Sequence, residues 1–264
     1  MTALGHLLEI KSEILYNDRL SEGYYRIGLS WRAPRVKAGH FVMLRVSDGL
    51  DPLLRRPFGI YRTIKGKGVE LLYRVVGKGT EILSQKRPGE RLGILGPLGN
   101  GFTLPEKGRR AVMLTGGMGI VPLYMLAEGL EAGTLIFGAR SRRETFLLKD
   151  FRKFGLKIKT ATEDGSIGRK GLATDLLEEE LTPETIVYAC GPMGMLKAAA
   201  SIAKRSGAKC MVSLERSMAC GIGVCLGCAV KARPRKDEKE NRLYKMVCSD
   251  GPVFDSEEID WDVL

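Results

Sequence analysis

From Leu7 to about Leu104 the apolar positions fall in short alternating runs broken by turn residues. Val42, Leu44 and Val46 alternate after Gly39, 69–76 is a second apolar-rich run, and Gly66, Gly68, Gly77, Gly79, Pro88 and Gly89 punctuate them. Many brief strands with regular turns predict a small antiparallel β-barrel. After Pro105 the rhythm changes. Continuous apolar runs at 111–115, 134–137, 156–161, 185–189 and 208–214 alternate with helical stretches at 121–130, 144–154, 172–181 and 193–206. That order predicts a parallel sheet with helices on its faces. From 215 to Leu264 the chain is short and polar, and it reads as a segment that needs a metal to hold it together. The expected division is a barrel over 1–105, an α/β parallel-sheet nucleotide-binding domain over 106–214, and a small cysteine-bearing domain over 215–264.

The length of 264 residues suits this plan, since it accommodates two modest cores and an appendage. The opening segment carries Glu9, Glu13 and Asp18 and lacks a basic region before an apolar run, so it does not read as a secretion signal. No apolar run approaches the roughly 18 residues of a membrane span. A cytoplasmic chain without membrane contact is expected, and there six cysteines favour metal binding or catalysis over disulfides. The net charge of +11 is spread along the whole length. It suits phosphate-bearing cofactors or an acidic protein partner, and no nucleic-acid recognition motif accompanies it. The 33 glycines exceed the ordinary share of about 7% and cluster where backbone amides can meet phosphates.

Cysteine spacing carries the most specific chemistry. Cys220, Cys225 and Cys228 stand in a C-x4-C-x2-C pattern answered downstream by Cys248, the spacing with which plant-type proteins hold a [2Fe-2S] cluster on four thiolates. Gly221, Gly223 and Gly227 leave room for backbone N–H groups to approach sulfur. Zinc stays open as an alternative, because Cys225 and Cys228 also form the C-x2-C pair of zinc sites. The charge-dense stretch 231–242 reads as a solvated hairpin or loop.

Four further motifs carry candidate chemistry. In Arg55-Arg56-Pro57-Phe58-Gly59-Ile60-Tyr61 an arginine beside a proline offers a planar fork to a pyrophosphate, and a nearby aromatic can pack on a flat ring. Gly77-Lys78-Gly79-Thr80 opens a helix, so amides and a hydroxyl can face a phosphate; an ordinary glycine turn capped by Thr80 explains it equally well. Thr115-Gly116-Gly117-Met118-Gly119 follows an apolar strand and Cys190-Gly191-Pro192 ends a later one. The carboxyl ends of parallel strands are where such sheets bind ligands, although the glycines depart from the G-x-G-x-x-G fingerprint. Cys190 taken alone reads as a buried strand-end hydrophobe. Cys210 reads as strand packing.

The order R-x-P-F-x-I, G-x-G-T, G-P-L-G-N-G-F, G-G-x-G-x-x-P and C-G-P resembles the ferredoxin-NADP reductase superfamily over nearly the whole chain. The final C-G-I-G-V-C-L-G-C with V-C-x-D-G-P-V-F resembles, more narrowly, the branch of electron-transfer subunits that serve type B dihydroorotate dehydrogenases. The resemblance implies FAD bound by Arg56, Pro57, Phe58 and Gly59 and by the phosphate turn Gly77, Gly79 and Thr80. Arg56 rather than Arg55 is expected to meet the pyrophosphate, and Gly59 replaces the serine or threonine that many relatives offer to the flavin N5. It further implies a nicotinamide nucleotide at Gly116, Gly117, Gly119 and Pro122, with Cys190, Gly191 and Pro192 beside the nicotinamide and 96–101 near the flavin. The metal ligands would be Cys220, Cys225, Cys228 and Cys248.

Hydride transfer moves two electrons and an iron–sulfur cluster passes one, so a flavin is expected between them. The resemblance implies that an FMN-containing catalytic subunit oxidises dihydroorotate in pyrimidine biosynthesis, in a heterotetramer of two of each chain. Electrons would cross from that subunit to the cluster, then to FAD, and leave on NAD+. Arg140, Ser141, Arg142 and Arg143 after the second sheet strand would also suit the 2′-phosphate of NADP, while the resemblance favours NAD. Alternatives are an NAD(P)H-dependent subunit of a hydrogenase- or sulfide-linked complex and a zinc-stapled, non-enzymatic binding protein.

Overall fold

The computed structural model describes residues 9–32, 35–233 and 243–264. Its first unit is a closed barrel of β1 (Ile10–Ser21), β2 (Tyr24–Ser30), β3 (Phe41–Arg45), β4 (Arg56–Ile64), β5 (Gly68–Arg74) and β6 (Arg91–Leu98). The strands run in the order β1-β2-β5-β4-β3-β6, and β6 closes the ring by pairing antiparallel with both β1 and β3. Inward residues Ile14, Ile27, Leu29, Val42, Leu44, Ile60, Val69, Leu71 and Ile94 make its core. Helix α1 (Lys78–Ser84) lies between β5 and β6 and buries Leu83 in the same core. One charged group is enclosed. Glu70 takes a hydrogen bond from the Tyr16 hydroxyl and an ion pair from Arg62 at 3.0 Å, so its charge is matched inside the wall.

The second unit is a sheet of β7 (Arg110–Gly116), β8 (Thr134–Ala139), β9 (Lys157–Thr162), β10 (Arg169–Lys170), β11 (Thr185–Cys190), β12 (Lys209–Ser213) and β15 (Val253–Asp255), in the order β10-β9-β8-β7-β11-β12-β15. All its pairings are parallel except β12 with β15. β11 is buried along its whole length because both faces are covered. Chain order reverses at β7, which has β8 on one side and β11 on the other, and a crevice opens there at the carboxyl ends.

Three of the four expected helices take a tighter form. The stretch expected at 121–130 is a 3-10 helix over Gly117–Leu123, with Pro122 inside it, that passes into α2 (Tyr124–Glu128). That expected at 144–154 is a 3-10 helix over Arg142–Phe154; the Ser141 hydroxyl caps its start and Gly155 ends it in the left-handed region. That expected at 172–181 is two short turns, Ala173–Leu176 and Glu178–Glu180. Pro183 follows and holds the residue before it away from the helical region. α3 (Met193–Arg205) matches the alanine-rich helix expected at 193–206.

The tail contributes β13 (Ala229–Lys231), β14 (Tyr244–Met246) and β15. Cys228, Val230, Val247, Cys248, Phe254, Ile259 and Trp261 are buried in one cluster with Val212 of the sheet, Leu196 of α3, and Met43 and Leu98 of the barrel. The apolar residues missing from the tail are supplied by its neighbours. Of the charge-dense stretch, 234–242 lie outside the described residues, as do 1–8 at the start of the chain.

Candidate functional site

Arg56 enters β4 with its side chain against the start of α1. A Cβ on Gly79 would lie 2.6 Å from Arg56 Nε, so the close approach of guanidinium and helix requires glycine. The Arg56 guanidinium also donates to the Leu54 carbonyl. Arg55 pairs instead with Glu9. Arg56, Pro57, Phe58, Gly59, Gly77, Gly79 and Thr80 all line one cleft of about 640 Å³, whereas Arg55 does not. Phe58 stands edge-to-face on Tyr73, at 5.9 Å between centroids, and both face that cleft.

The Thr80 hydroxyl serves the glycine turn, one of the two readings of this motif, but from the third helical position, since the N-cap is Gly77. It accepts from the N–H of Val76 (2.9 Å) and Gly77 (3.2 Å) and donates to the Gly77 carbonyl (2.9 Å), closing the turn on itself. The first helical bond runs from Glu81 N–H to the Gly77 carbonyl at 2.9 Å, so the amides of Lys78, Gly79 and Thr80 precede the ladder and are available to an anion. Gly59 has space for a side chain, since a Cβ there would meet only Val121 at 3.6 Å.

A second cleft, of about 820 Å³, is lined by Gly116, Gly117, Gly119, Gly191 and Pro192 at the reversal of strand order. The glycines do different work there. A Cβ on Gly119 would sit 2.1 Å from the Cys190 carbonyl, and one on Gly116 would sit 2.8 Å from Pro192, so these two let the ends of β7 and β11 pack together. Gly117 has φ +51° and open space above it, and it leaves room for a ligand. Cys190 is buried and lines the first cleft rather than the second. Burial, reinforced by the nearby Glu215 charge, pushes its thiol well above the usual range and leaves it neutral.

The two clefts meet. Arg74, Val76, Met118 and Glu215 line both. Glu215 is exposed to both clefts, and desolvation by the walls around it raises its pKa. Arg140 and Glu144 reach the far end of the second cleft, where Glu144 accepts from the Tyr24 hydroxyl and the Arg140 N–H, each at 3.1 Å.

The cysteine loop leaves the sheet after β12 and walls the first cleft with Ser217 and Met218. Cys220 Sγ accepts from the N–H of Ile222 and of Cys225, both at 3.4 Å, and Cys248 Sγ accepts from Gly223 N–H at 3.1 Å. Cys228 and Cys248 hold their sulfurs 3.2 Å apart. Cys228 and Cys248 thus pair through their sulfurs while Cys225 meets Cys220 through its backbone N–H, and among the described residues no three such side chains close on a single ion site. Burial raises the Cys220 thiol, but the N–H bonds from Ile222 and Cys225 outweigh it and bring the group down to about 6. Gly221 (φ +75°) and Gly223 (φ +83°) are needed: a Cβ would lie 2.6 Å from Met43 in the first case and 2.8 Å from Ser249 in the second. Gly227 is not, because a Cβ there would make an ordinary 3.6 Å contact with Cys225 Sγ.

Known proteins share this arrangement. A model of the iron-sulfur cluster binding domain of dihydroorotate dehydrogenase B matches residues 215–260. The electron transfer subunit of dihydroorotate dehydrogenase B (NAD(+)) from Caldanaerobacter subterraneus subsp. tengcongensis is 41% identical over 251 residues, covering 95% of this chain and 98% of the relative. The chain belongs to that family. An Aquifex aeolicus homolog of the same subunit is 39% identical over 262 residues, 96% of this chain and 99% of its own.

Among solved structures, the NADH-dependent reduced ferredoxin-NADP oxidoreductase of flavin-based electron bifurcation superposes with TM-score 0.82 at 28% identity, over 99% of this chain and 93% of its own. A ferredoxin NADP+ reductase from Neisseria gonorrhoeae, solved with FAD and NADP, shares the fold with TM-score 0.65 at 20% identity over 75% of this chain and 92% of its own. The family model covers the cysteine loop, whose pattern was legible from spacing. The shared wall of Arg74, Val76, Met118 and Glu215 was not expected from sequence. Of the four only Met118 lies in a quoted motif, and only the approach of barrel and sheet brings them together.

Proposed function

We propose that this chain is the electron-transfer subunit of an NAD-dependent dihydroorotate dehydrogenase, an oxidoreductase component of pyrimidine biosynthesis. The reading divides it into an FAD-binding barrel over 1–105, an NAD-binding unit over 106–214 and a [2Fe-2S] unit over 215–264. Bound in the first cleft, FAD supplies the conversion between one-electron exchange with the cluster and hydride exchange with NAD+.

The residues provide placement. Arg56 and the amides of Lys78, Gly79 and Thr80 would hold the pyrophosphate, with Pro57, Phe58 and Gly59 along the ring. Gly116, Gly117 and Gly119 with Cys190, Gly191 and Pro192 would admit the dinucleotide as far as the shared wall, where Met118 and Val76 exclude water from the meeting rings. Cys220, Cys225, Cys228 and Cys248 would hold the cluster, with the N–H groups of Ile222, Gly223 and Cys225 tuning it. The observation that carries the reading is continuity. The cysteine loop walls the first cleft, and the first cleft shares Glu215 and Met118 with the second.

The partner is an FMN-containing catalytic subunit, two of each chain forming a heterotetramer in the cytoplasm. The exposed apolar residues Ile222, Val224 and Leu226 ring the exposed Cys225 and offer it a docking face. No helix among the described residues is long and apolar enough to cross a membrane.

Anaerobic co-expression with such a subunit tests the reading. Purified complex is expected to contain FAD, FMN, iron and sulfide and to reduce NAD+ with dihydroorotate. A complex with these cofactors that ignores dihydroorotate overturns the substrate assignment, and a colourless zinc protein overturns the whole.

A further inference from the structure

The segment 96–101, which ends β6 and continues beyond it, was expected near the flavin, and it also ties the barrel to the cysteine tail. The Asn100 side-chain amide donates to the carbonyls of Ser249 (3.2 Å) and Asp250 (2.9 Å), and its backbone N–H donates to that of Gly251 (2.5 Å). Its own carbonyl accepts from Val253 N–H at 3.4 Å. Beside it Gly99, at φ +77°, lies so close that a Cβ would stand 2.5 Å from Pro252 and 2.6 Å from the Gly251 carbonyl.

This turn is no passive surface. One end carries Cys248, and the other carries Pro252, which walls the first cleft. Asp250 closes the turn on itself by accepting from Met246 N–H at 2.6 Å, so a displacement of its rim moves the turn as a body. On the barrel side, the ring of Phe41, which also walls the first cleft, supports Gly99: a Cβ there would meet it at 3.0 Å.

We propose that Gly99 and Asn100 form a spacer that sets the separation of the flavin cleft from the cysteine loop. Gly99 sets how near the Cys248 turn comes, and Asn100 keeps it from swinging away. Both are positioning residues for the electron step between the two sites. The inference rests on the proposed function, since it presumes flavin and cluster at either end.

The test uses the complete complex with Gly99→Ala, Asn100→Ala and Asn100→Asp. NADH is mixed in under anaerobic conditions, flavin and cluster reduction are followed separately, and hydrogen exchange is measured at the Leu214 and Val253 amides, which bond to Pro252 and Asn100. All variants are expected to keep flavin and its reduction by NADH. Electron passage to the cluster should slow by about tenfold or more in Gly99→Ala and by less in Asn100→Ala, because small misplacements are costly in such steps. Asn100→Asp keeps the shape but loses the donor, so it should behave like Asn100→Ala, with faster exchange at Val253 in both.

Wild-type passage rates and unchanged exchange in Asn100→Ala overturn the inference, as does an Asn100→Asp protein indistinguishable from wild type. If Gly99→Ala fails to assemble its cluster, the Asn100 variants decide. A wild-type complex without flavin or cluster refutes the proposed function instead, and the two failures are told apart by cofactor content alone.

Discussion

The barrel and the tail both hold one wall of the flavin cleft, and they are stabilised in opposite ways. The barrel has strands of 5 to 12 residues, closes on itself, and encloses a core and a charged residue matched within its own wall. The tail's three strands have three residues each, and its buried side chains lie in a cluster shared with the sheet and the barrel. A self-contained unit can position a cofactor by its own rigidity. A borrowed one is positioned by whatever it is packed against, and here that is the wall of the flavin cleft.

Substitutions that separate the two units should make the contrast visible. The largest effect is expected for Cys220→Ser, which should remove nearly all iron and sulfide while leaving FAD and its reduction by NADH intact; a normal cluster spectrum would count against the ligand set. In the barrel, Glu70→Ala leaves Arg62 and the Tyr16 hydroxyl without their buried partner and should cost about 3–5 kcal/mol in urea unfolding, with flavin lost in the same transition. In the tail, Phe254→Ala should cost about 3 kcal/mol. Because Phe254 packs on the sheet, the loss should lower the unfolding midpoint of tail and sheet together. Separate midpoints would mean that the tail is an independent unit after all.

A pH effect of moderate size comes from the far end of the sheet. Burial would raise the Glu180 carboxyl, but hydrogen bonds from Lys159, Lys157 and Thr134 bring it from 4.5 down to about 2. Stability from this group is complete above about pH 4.5 and lost as pH falls toward 2. The lysines are partly solvated, so the loss should be about 2 kcal/mol, and Glu180→Gln should abolish that part of the acid dependence. The smallest effect is expected for Gly59→Ser. The site has room, so stability should change by less than about 1 kcal/mol, read from the thermal midpoint with flavin bound.

Much of this architecture was legible in the sequence because its cues are local. Strand periods, glycine turns at strand ends and cysteine spacing each need only a few neighbouring residues. Arg56 could be preferred over Arg55 only by resemblance until Gly79 and Glu9 were seen to take one arginine each. The 3-10 form of the sheet's connections was missed because apolar spacing does not distinguish a tight helix from an ordinary one. Gly116 and Gly119 line the second cleft, and their neighbours add a reason for glycine that the sequence did not show, the close packing of another strand's loop. Glu215 escaped because its importance lies in what stands opposite, and for Asn100 the motif pointed to the flavin while its bonds to the Cys248 turn could be seen only in the fold.

The pairing of β15 with β12 carries a consequence for anyone who trims this chain. The three residues of β15 are the lid on an otherwise open sheet margin, laid on by a segment that must first travel around the cysteine loop. Cutting the chain after β12 to obtain a simple flavin reductase would bare that margin and the apolar floor beneath Phe254 and Trp261 at once. An unpaired strand beside exposed apolar surface is a template for joining other chains. The expected product of such a truncation is a sticky, self-associating protein, so any shortening that aims to spare solubility has to keep the return strand.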